Sequence, residues 1–216
     1  MIRGPNTLKG SYYKYGTRNP VSRWLVGRFF KAVEELLGQI TFASALDIGC
    51  GEGFVTELIS KRNKQADIHA CDIEVDVIEN HTLENSRINF SVQSTYSLGF
   101  ANESFDLVVA TEVLEHLESP EKAVSEIHRL TRRYAILSVP REPLWRTLNM
   151  ARLAYLKNLG NTPGHLQHWS RRGFKELISS KFDIVTMVTP LPWTIILAEK
   201  KTTLRSALSE ADAKAL

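Results

Sequence analysis

The chain is poor in the residues and runs that mark secreted or membrane-spanning proteins. Its 216 residues include only two cysteines, Cys50 and Cys71, and no C-x-x-C pair. That is too few for a disulfide framework and lacks the spacing of a structural zinc site. Free thiols in a reducing compartment are the expectation. No apolar run approaches the ~18 residues that a bilayer-spanning helix needs, and the first residues lack the continuous apolar stretch of a signal peptide. The chain therefore reads as cytoplasmic. Repeats and low-complexity tracts are missing as well. With 43% hydrophobic and 24% charged residues, the composition excludes a disordered, collagenous or coiled-coil chain. At this length one globular domain with modest additions is expected.

Acids are absent from residues 1 to 33, which carry Arg3, Lys9, Lys14, Arg18, Arg23, Arg28 and Lys31. Residues 141 to 172 set Arg141, Arg146, Arg152, Lys157, Arg171 and Arg172 against one acid, Glu142. Because the net charge is only +3, the remainder is acidic. If the two basic segments converge, they favour an anionic acceptor, an acidic membrane surface or a nucleic acid; if not, they are solvated faces.

Hydrophobic period divides the chain into alternating elements. Asn19-Pro20 supplies a cap and a first-turn proline for an amphipathic helix running to Leu37. Strands are predicted at Ser44 to Ile48, Ile68 to Asp72, Ile88 to Val92, Phe105 to Thr111 and Tyr134 to Val139. Helices are predicted at Phe54 to Lys61, Glu74 to Glu84, Pro120 to Leu130 and Arg171 to Ser180. Such alternation argues for a doubly wound, mostly parallel α/β sheet. The last two strands, Phe182 to Thr189 and Trp193 to Lys200, are joined only by Pro190-Leu191-Pro192, which is too short for a crossover helix. They must form a terminal antiparallel hairpin, giving seven strands in all. The chain thus divides into a basic arm with an amphipathic cover helix (1–39), a main domain (40–200) and a C-terminal tail (201–216) expected to fray.

Between the first strand and its helix the loop reads Asp47-Ile48-Gly49-Cys50-Gly51-Glu52-Gly53, where a doubly wound sheet binds its ligand. The dinucleotide fingerprint G-x-G-x-x-G is not met, because Phe54 holds its last glycine position. Asp72 ends the next strand and can accept both hydrogen bonds of a ribose diol, so a nucleoside-like ligand is expected; a purely structural glycine turn is the alternative.

With Ala70-Cys71-Asp72-Ile73, Ser104-Phe105-Asp106-Leu107-Val108-Val109 and Glu112-Val113-Leu114-Glu115-His116-Leu117 following that loop in order, the chain resembles the class I S-adenosylmethionine-dependent methyltransferases. Within them it is similar to the small-molecule group that includes quinone-biosynthesis enzymes. The resemblance covers roughly residues 40 to 200 and implies a Rossmann-like sheet with S-adenosyl-L-methionine as cofactor. It implies that the loop with Asp47, Gly49, Cys50, Gly51 and Gly53 lies along the methionine part. Asp72 then holds the ribose, Ile73 packs on the adenine, and Glu112 and Val113 line the cofactor. Where relatives place Gly-Asp after the third strand, this chain has Gln93-Ser94, so Ser94, assisted by Thr95, takes the place of a carboxylate toward the adenine amino group.

Methyl transfer from a sulfonium is an in-line displacement that asks mainly for alignment and exclusion of water. A hydroxyl acceptor benefits from a general base, and His116, His165 and His168 are the candidates. His116 reads better as a structural hydrogen-bonding residue. His165 and His168 are favoured because they lie in the long connection 140–169, where relatives place a substrate-covering insertion. Within it Trp145, Leu148, Met150, Leu153, Leu156 and Leu159 are predicted to form one helical face ended by Gly160. No metal-ligand cluster is apparent, so metal-independent transfer is expected. The expected acceptor is a small or lipid-linked molecule, anionic if the basic segments meet it, methylated at oxygen, with peripheral membrane contact as a further expectation. The alternatives are a nucleic-acid methyltransferase, disfavoured because no Asn/Asp-Pro-Pro-Tyr or Pro-Cys motif is present, and a cofactor-binding partner subunit without catalysis.

Overall fold

The computed structural model describes residues 19–84, 87–151 and 153–201. Helix α1 (Pro20–Leu37) starts as the sequence dictates: the Asn19 side-chain oxygen accepts from the backbone N–H groups of Val21 and Ser22 at 2.9 and 3.2 Å. Then follow β1 (Ser44–Ile48), α2 (Phe54–Arg62), β2 (Asp67–Asp72), α3 (Val75–Glu84), β3 (Ile88–Val92) and β4 (Phe105–Thr111). A 3₁₀ turn (Leu114–His116) leads to α4 (Pro120–Leu130), β5 (Thr131–Pro140), α5 (Leu144–Ala151), α6 (Arg171–Ser179), β6 (Phe182–Val188) and β7 (Trp193–Lys200).

The seven strands form one sheet in the order β3-β2-β1-β4-β5-β7-β6. The first five are parallel; β7 runs antiparallel to both β5 and β6. Successive strand residues feed opposite faces, as the two-residue period of a strand requires. Ala45, Leu107, Val109, Ile136, Ile195 and Leu197 enter the core under α1, α2 and α3. Their neighbours Leu46, Val108, Ala110, Leu137, Ile196 and Ala198 enter the core under α4 and α6. Helix α1 buries Phe29, Ala32, Val33, Leu36 and Leu37 in the first of these. From Phe29 onward its apolar face is spent on packing against the sheet, whereas Val21 and Trp24 near its start are exposed. Among the described residues no helix is long and apolar enough to cross a membrane.

Two expectations change. Strand β5 begins at Thr131, three residues before the apolar run, because Thr131 pairs with Phe105 across a register shift in β4. The apolar face expected to continue to Gly160 ends with α5 at Ala151. Leu153, Tyr155 and Leu159 have φ of 59°, 55° and 49°, left-handed values that no helix can contain. The chain turns back there, and Leu153, Leu156 and Leu159 stand exposed. The connection closes on itself at its base, where Arg141 bridges Trp169 and the Glu142 N–H donates to the Trp169 carbonyl at 2.9 Å. The basic arm up to Arg18 and the expected fraying after Lys201 lie outside the described residues.

Candidate functional site

The glycine loop is strapped to the end of β2. The N–H groups of Gly49 and Cys50 donate to the Cys71 carbonyl at 2.7 and 3.0 Å, and the Gly51 N–H donates to Asp72 Oδ2 at 3.0 Å. Gly49, Gly51 and Gly53 take φ of 67°, 50° and 76°, which side chains bearing a Cβ adopt only at a cost. Their reasons differ. A Cβ at Gly49 would lie 2.4 Å from Val113 Cγ2, whereas one at Gly51 would meet nothing within 4 Å. Gly49 is needed for a close approach within the protein, and Gly51 leaves open the side of the loop that borders the cleft.

The enclosed part of that cleft is lined by residues of the loop together with Phe30, Phe54, Glu112 and His116. Sequence reasoning missed Phe30: it comes from α1 and packs on Phe54, ring centroids 5.7 Å apart, a contact between distant segments. Asp72 lies outside the enclosed part, with Ile73 beside it and 70% exposed. Ser94 and Thr95 follow β3, whose end is held beside Asp72 by the Gln93 N–H donating to the Asp72 carbonyl at 2.9 Å. Val113 is buried against Gly49 and shapes the loop from beneath.

These residues fit the group that the resemblance implies. A carboxylate offers about four acceptor positions. Asp72 uses two, one for Gly51 and one for the Glu74 N–H, and the others remain for a diol. Ile73 presents an exposed apolar side chain for a purine face, and Gly51 leaves room for a chain to pass.

The electrostatics of the loop are set by burial. Asp47 is 1% exposed. Burial pushes its carboxyl up to about 7, against a hydrogen bond from the Thr56 hydroxyl that lowers it and with the Asp72 charge adding to the rise. Burial likewise pushes the Cys71 thiol up to about 12, and the Cys50 thiol upward further, with the Asp47 and Asp72 charges adding to both. Both are inert thiols at neutral pH. Glu112, at φ 59°, holds its carboxylate between the Trp193 indole N–H at 2.7 Å and the Ser138 hydroxyl at 3.3 Å.

Of the three histidines singled out in the sequence, the structure brings two together. The loop after Pro163 folds onto the 3₁₀ turn: the N–H groups of Leu166 and Gln167 donate to the Glu115 carbonyl at 2.8 and 3.0 Å. His116 Nδ1 lies 3.0 Å from the Gly164 carbonyl. His165 is buried, edge-on to His116 at 5.0 Å and stacked on Trp145 at 5.9 Å. His168 turns away and pairs with Asn161 Oδ1 at 2.8 Å. The 3₁₀ turn that this loop covers adds Glu115, 1% exposed, which the sequence displayed only as the neighbour of His116.

Residues 46–139 match the family described as a methyltransferase domain. An uncharacterized methyltransferase of Schizosaccharomyces pombe is 30% identical over 98 residues, 40% of this chain and 35% of that protein. A ubiquinone biosynthesis O-methyltransferase of Leptothrix cholodnii is 25% identical over 104 residues, 46% of this chain and 44% of that protein. The matches therefore span less than half the length of these relatives. The solved magnesium protoporphyrin IX methyltransferase of Synechocystis PCC 6803, with bound SAH, superposes with a TM-score of 0.65 at 19% identity, covering 88% of this chain and 91% of that one; that likeness concerns the fold. With the glycine loop at β1, the acid at the end of β2 and the antiparallel β7, the chain has the fold of the class I S-adenosylmethionine-dependent methyltransferases, and its residues 46–139 match a methyltransferase domain.

Proposed function

We propose that this protein transfers a methyl group from S-adenosylmethionine to an oxygen of a small-molecule or lipid-linked acceptor. The observation that carries the reading is the glycine loop tied to Asp72 at the C-terminal ends of β1 and β2, with the histidine-bearing loop folded over the neighbouring turn. When bound, S-adenosylmethionine supplies an electrophilic methyl and a neutral thioether leaving group. The protein's part is to orient and to keep water out. Asp72 takes the ribose hydroxyls, Ser94 and Thr95 the adenine edge, Phe30 shields the loop, and His116 and His165 face the acceptor hydroxyl.

Transfer to oxygen is supported by the quinone-biosynthesis O-methyltransferase among the relatives. A lipid-linked acceptor is supported by the connection 140–169, which exposes Leu153, Leu156 and Leu159, and by a depression of about 520 Å³ lined in part by Arg141, Arg171 and Arg172. Guanidinium groups there suit a phosphate or carboxylate on the acceptor.

Calorimetry tests the reading. S-adenosylmethionine and its demethylated product are expected to bind, nicotinamide dinucleotides not, and Asp72→Ala to weaken binding by about 2 kcal/mol through loss of charge-assisted hydrogen bonds. Tight binding of a nicotinamide dinucleotide with none of the sulfonium would overturn it.

A further inference from the structure

Glu115 and His165 are separated by 50 positions in the chain, yet with His116 they face one another beside the cleft. Each of the three offers one ligand atom, and these atoms all lie within 4.8 Å of one another. Three donors that share a cation at ~2.1 Å sit roughly 3.0 to 3.5 Å apart, so a contraction of at most about 1.3 to 1.8 Å, within the reach of ring and carboxylate rotation, completes the set.

The surroundings suit ligation in three ways. First, the Gly164 carbonyl can only accept a hydrogen bond, so His116 Nδ1 carries the proton and Nε2 keeps its lone pair for a cation. Second, the backbone is fixed on both sides. Leu166 and Gln167 donate to the Glu115 carbonyl, and His165 is stacked on Trp145. Third, Glu115 and His165 are 1% and 6% exposed while His116 is exposed, which leaves a protein-lined floor and one open side. A buried carboxylate is stabilised by nearby positive charge. Two imidazoles and one carboxylate, with no thiolate, are donors for zinc, manganese or iron(II) rather than for a soft monovalent ion.

We propose that Glu115, His116 and His165 bind one divalent first-row cation, Zn²⁺ or Mn²⁺, whose open positions take the oxygen of the methyl acceptor. The second half of this statement rests on the methyl-transfer reading above; the cation site does not, and it replaces the metal-independent transfer expected from the sequence, in which Glu115 and His165 lie far apart. In the transfer, the acceptor O–H bond breaks and its proton leaves to solvent, the oxygen lone pair forms the new O–C bond, and the C–S bond breaks with its electron pair returning to sulfur. The cation's work is to hold the oxygen as its anion near neutral pH.

The test uses the full-length, tag-free protein, stripped with chelator and titrated by calorimetry with Zn²⁺ and, separately, Mn²⁺. One cation per chain is expected. His165→Asn and Glu115→Gln should weaken binding about 100-fold, and His168→Asn should leave it unchanged. Because Glu115 and His165 are buried and their variants can lose the fold, His116→Asn, at an exposed position, repeats the measurement with circular dichroism as the check on folding. Co²⁺ loaded in place of Zn²⁺ should show ligand-field absorption that disappears in His116→Asn. Binding of less than one cation per chain, or equal affinity in folded His116→Asn and the parent protein, overturns the site. The demethylated cofactor is titrated in parallel in chelator. Its failure to bind counts against methyl transfer alone, and its binding by a protein that takes up no stoichiometric cation counts against the metal site alone.

Discussion

At Asp47, one residue before the end of β1, a carboxyl group lies almost without solvent, held at about 7 chiefly by burial. An acid whose folded-state value is raised keeps its proton in the native state at pH values where the unfolded chain has lost it. Stability from this group is therefore full below the unfolded value of 3.8 and is lost as pH rises toward 7. The loss is on the order of 4 kcal/mol if the whole shift is realised. Asp47→Asn keeps an acceptor for the Thr56 hydroxyl and removes the titration. In thermal unfolding the decline in stability between pH 4 and pH 7 should flatten in this variant; an unchanged slope would move the buried proton elsewhere. The loop's residue types and the acid that follows were legible in the sequence because they lie close together along the chain. The pairing of His116 with His165 was not, because it depends on a connection of irregular backbone folding back over the 3₁₀ turn.

Elements bounded by strong punctuation were read with their exact ends. β3, β4 and α4 coincide with the ranges predicted from period, α4 because Pro120 opens it and the apolar stripe Ala123, Val124, Ile127, Leu130 runs its length. Thr131, Arg132 and Arg133 carry no strand pattern; Thr131 pairs with Phe105, and Arg132 and Arg133 are carried into β5 across the register shift before Tyr134 pairs with Leu107. The connection after α5 shows the opposite failure. Its leucines keep a helical spacing that the backbone does not follow. Gly160 decides that course: at φ 76° a Cβ would lie 2.2 Å from the Arg146 carbonyl oxygen. Gly160→Ala should cost about 1 to 2 kcal/mol from the left-handed conformation alone, with the clash added. Because Arg146 also donates to the Leu159 carbonyl, the cost should fall on this segment. Hydrogen exchange should show residues 144 to 162 losing protection while affinity for the demethylated cofactor changes less than about twofold. Equal loss of protection across the sheet would mean that the segment is part of the global fold.

At the scale of the whole molecule, the cleft beside the glycine loop and the arginine-lined depression share no lining residue, and the exposed leucines of the connection line neither. Replacing Leu153, Leu156 and Leu159 together by serine removes side chains that are 77%, 51% and 65% exposed. The fold and the cofactor affinity should be preserved. Capture by anionic vesicles, and turnover of long-tailed acceptors relative to their short-tailed analogues, should both fall; unchanged values in both would assign that surface to something other than lipid. The strand order has a further consequence during synthesis. β6 leaves the ribosome before β7, yet β7 is the strand that joins it to β5. A nascent chain that ends before residue 193 therefore carries a parallel sheet with an open β5 edge and an unattached β6, a state prone to pairing with other chains. Release of the last strand, not of the nucleotide-binding half, sets the moment at which the newborn protein becomes safe from aggregation.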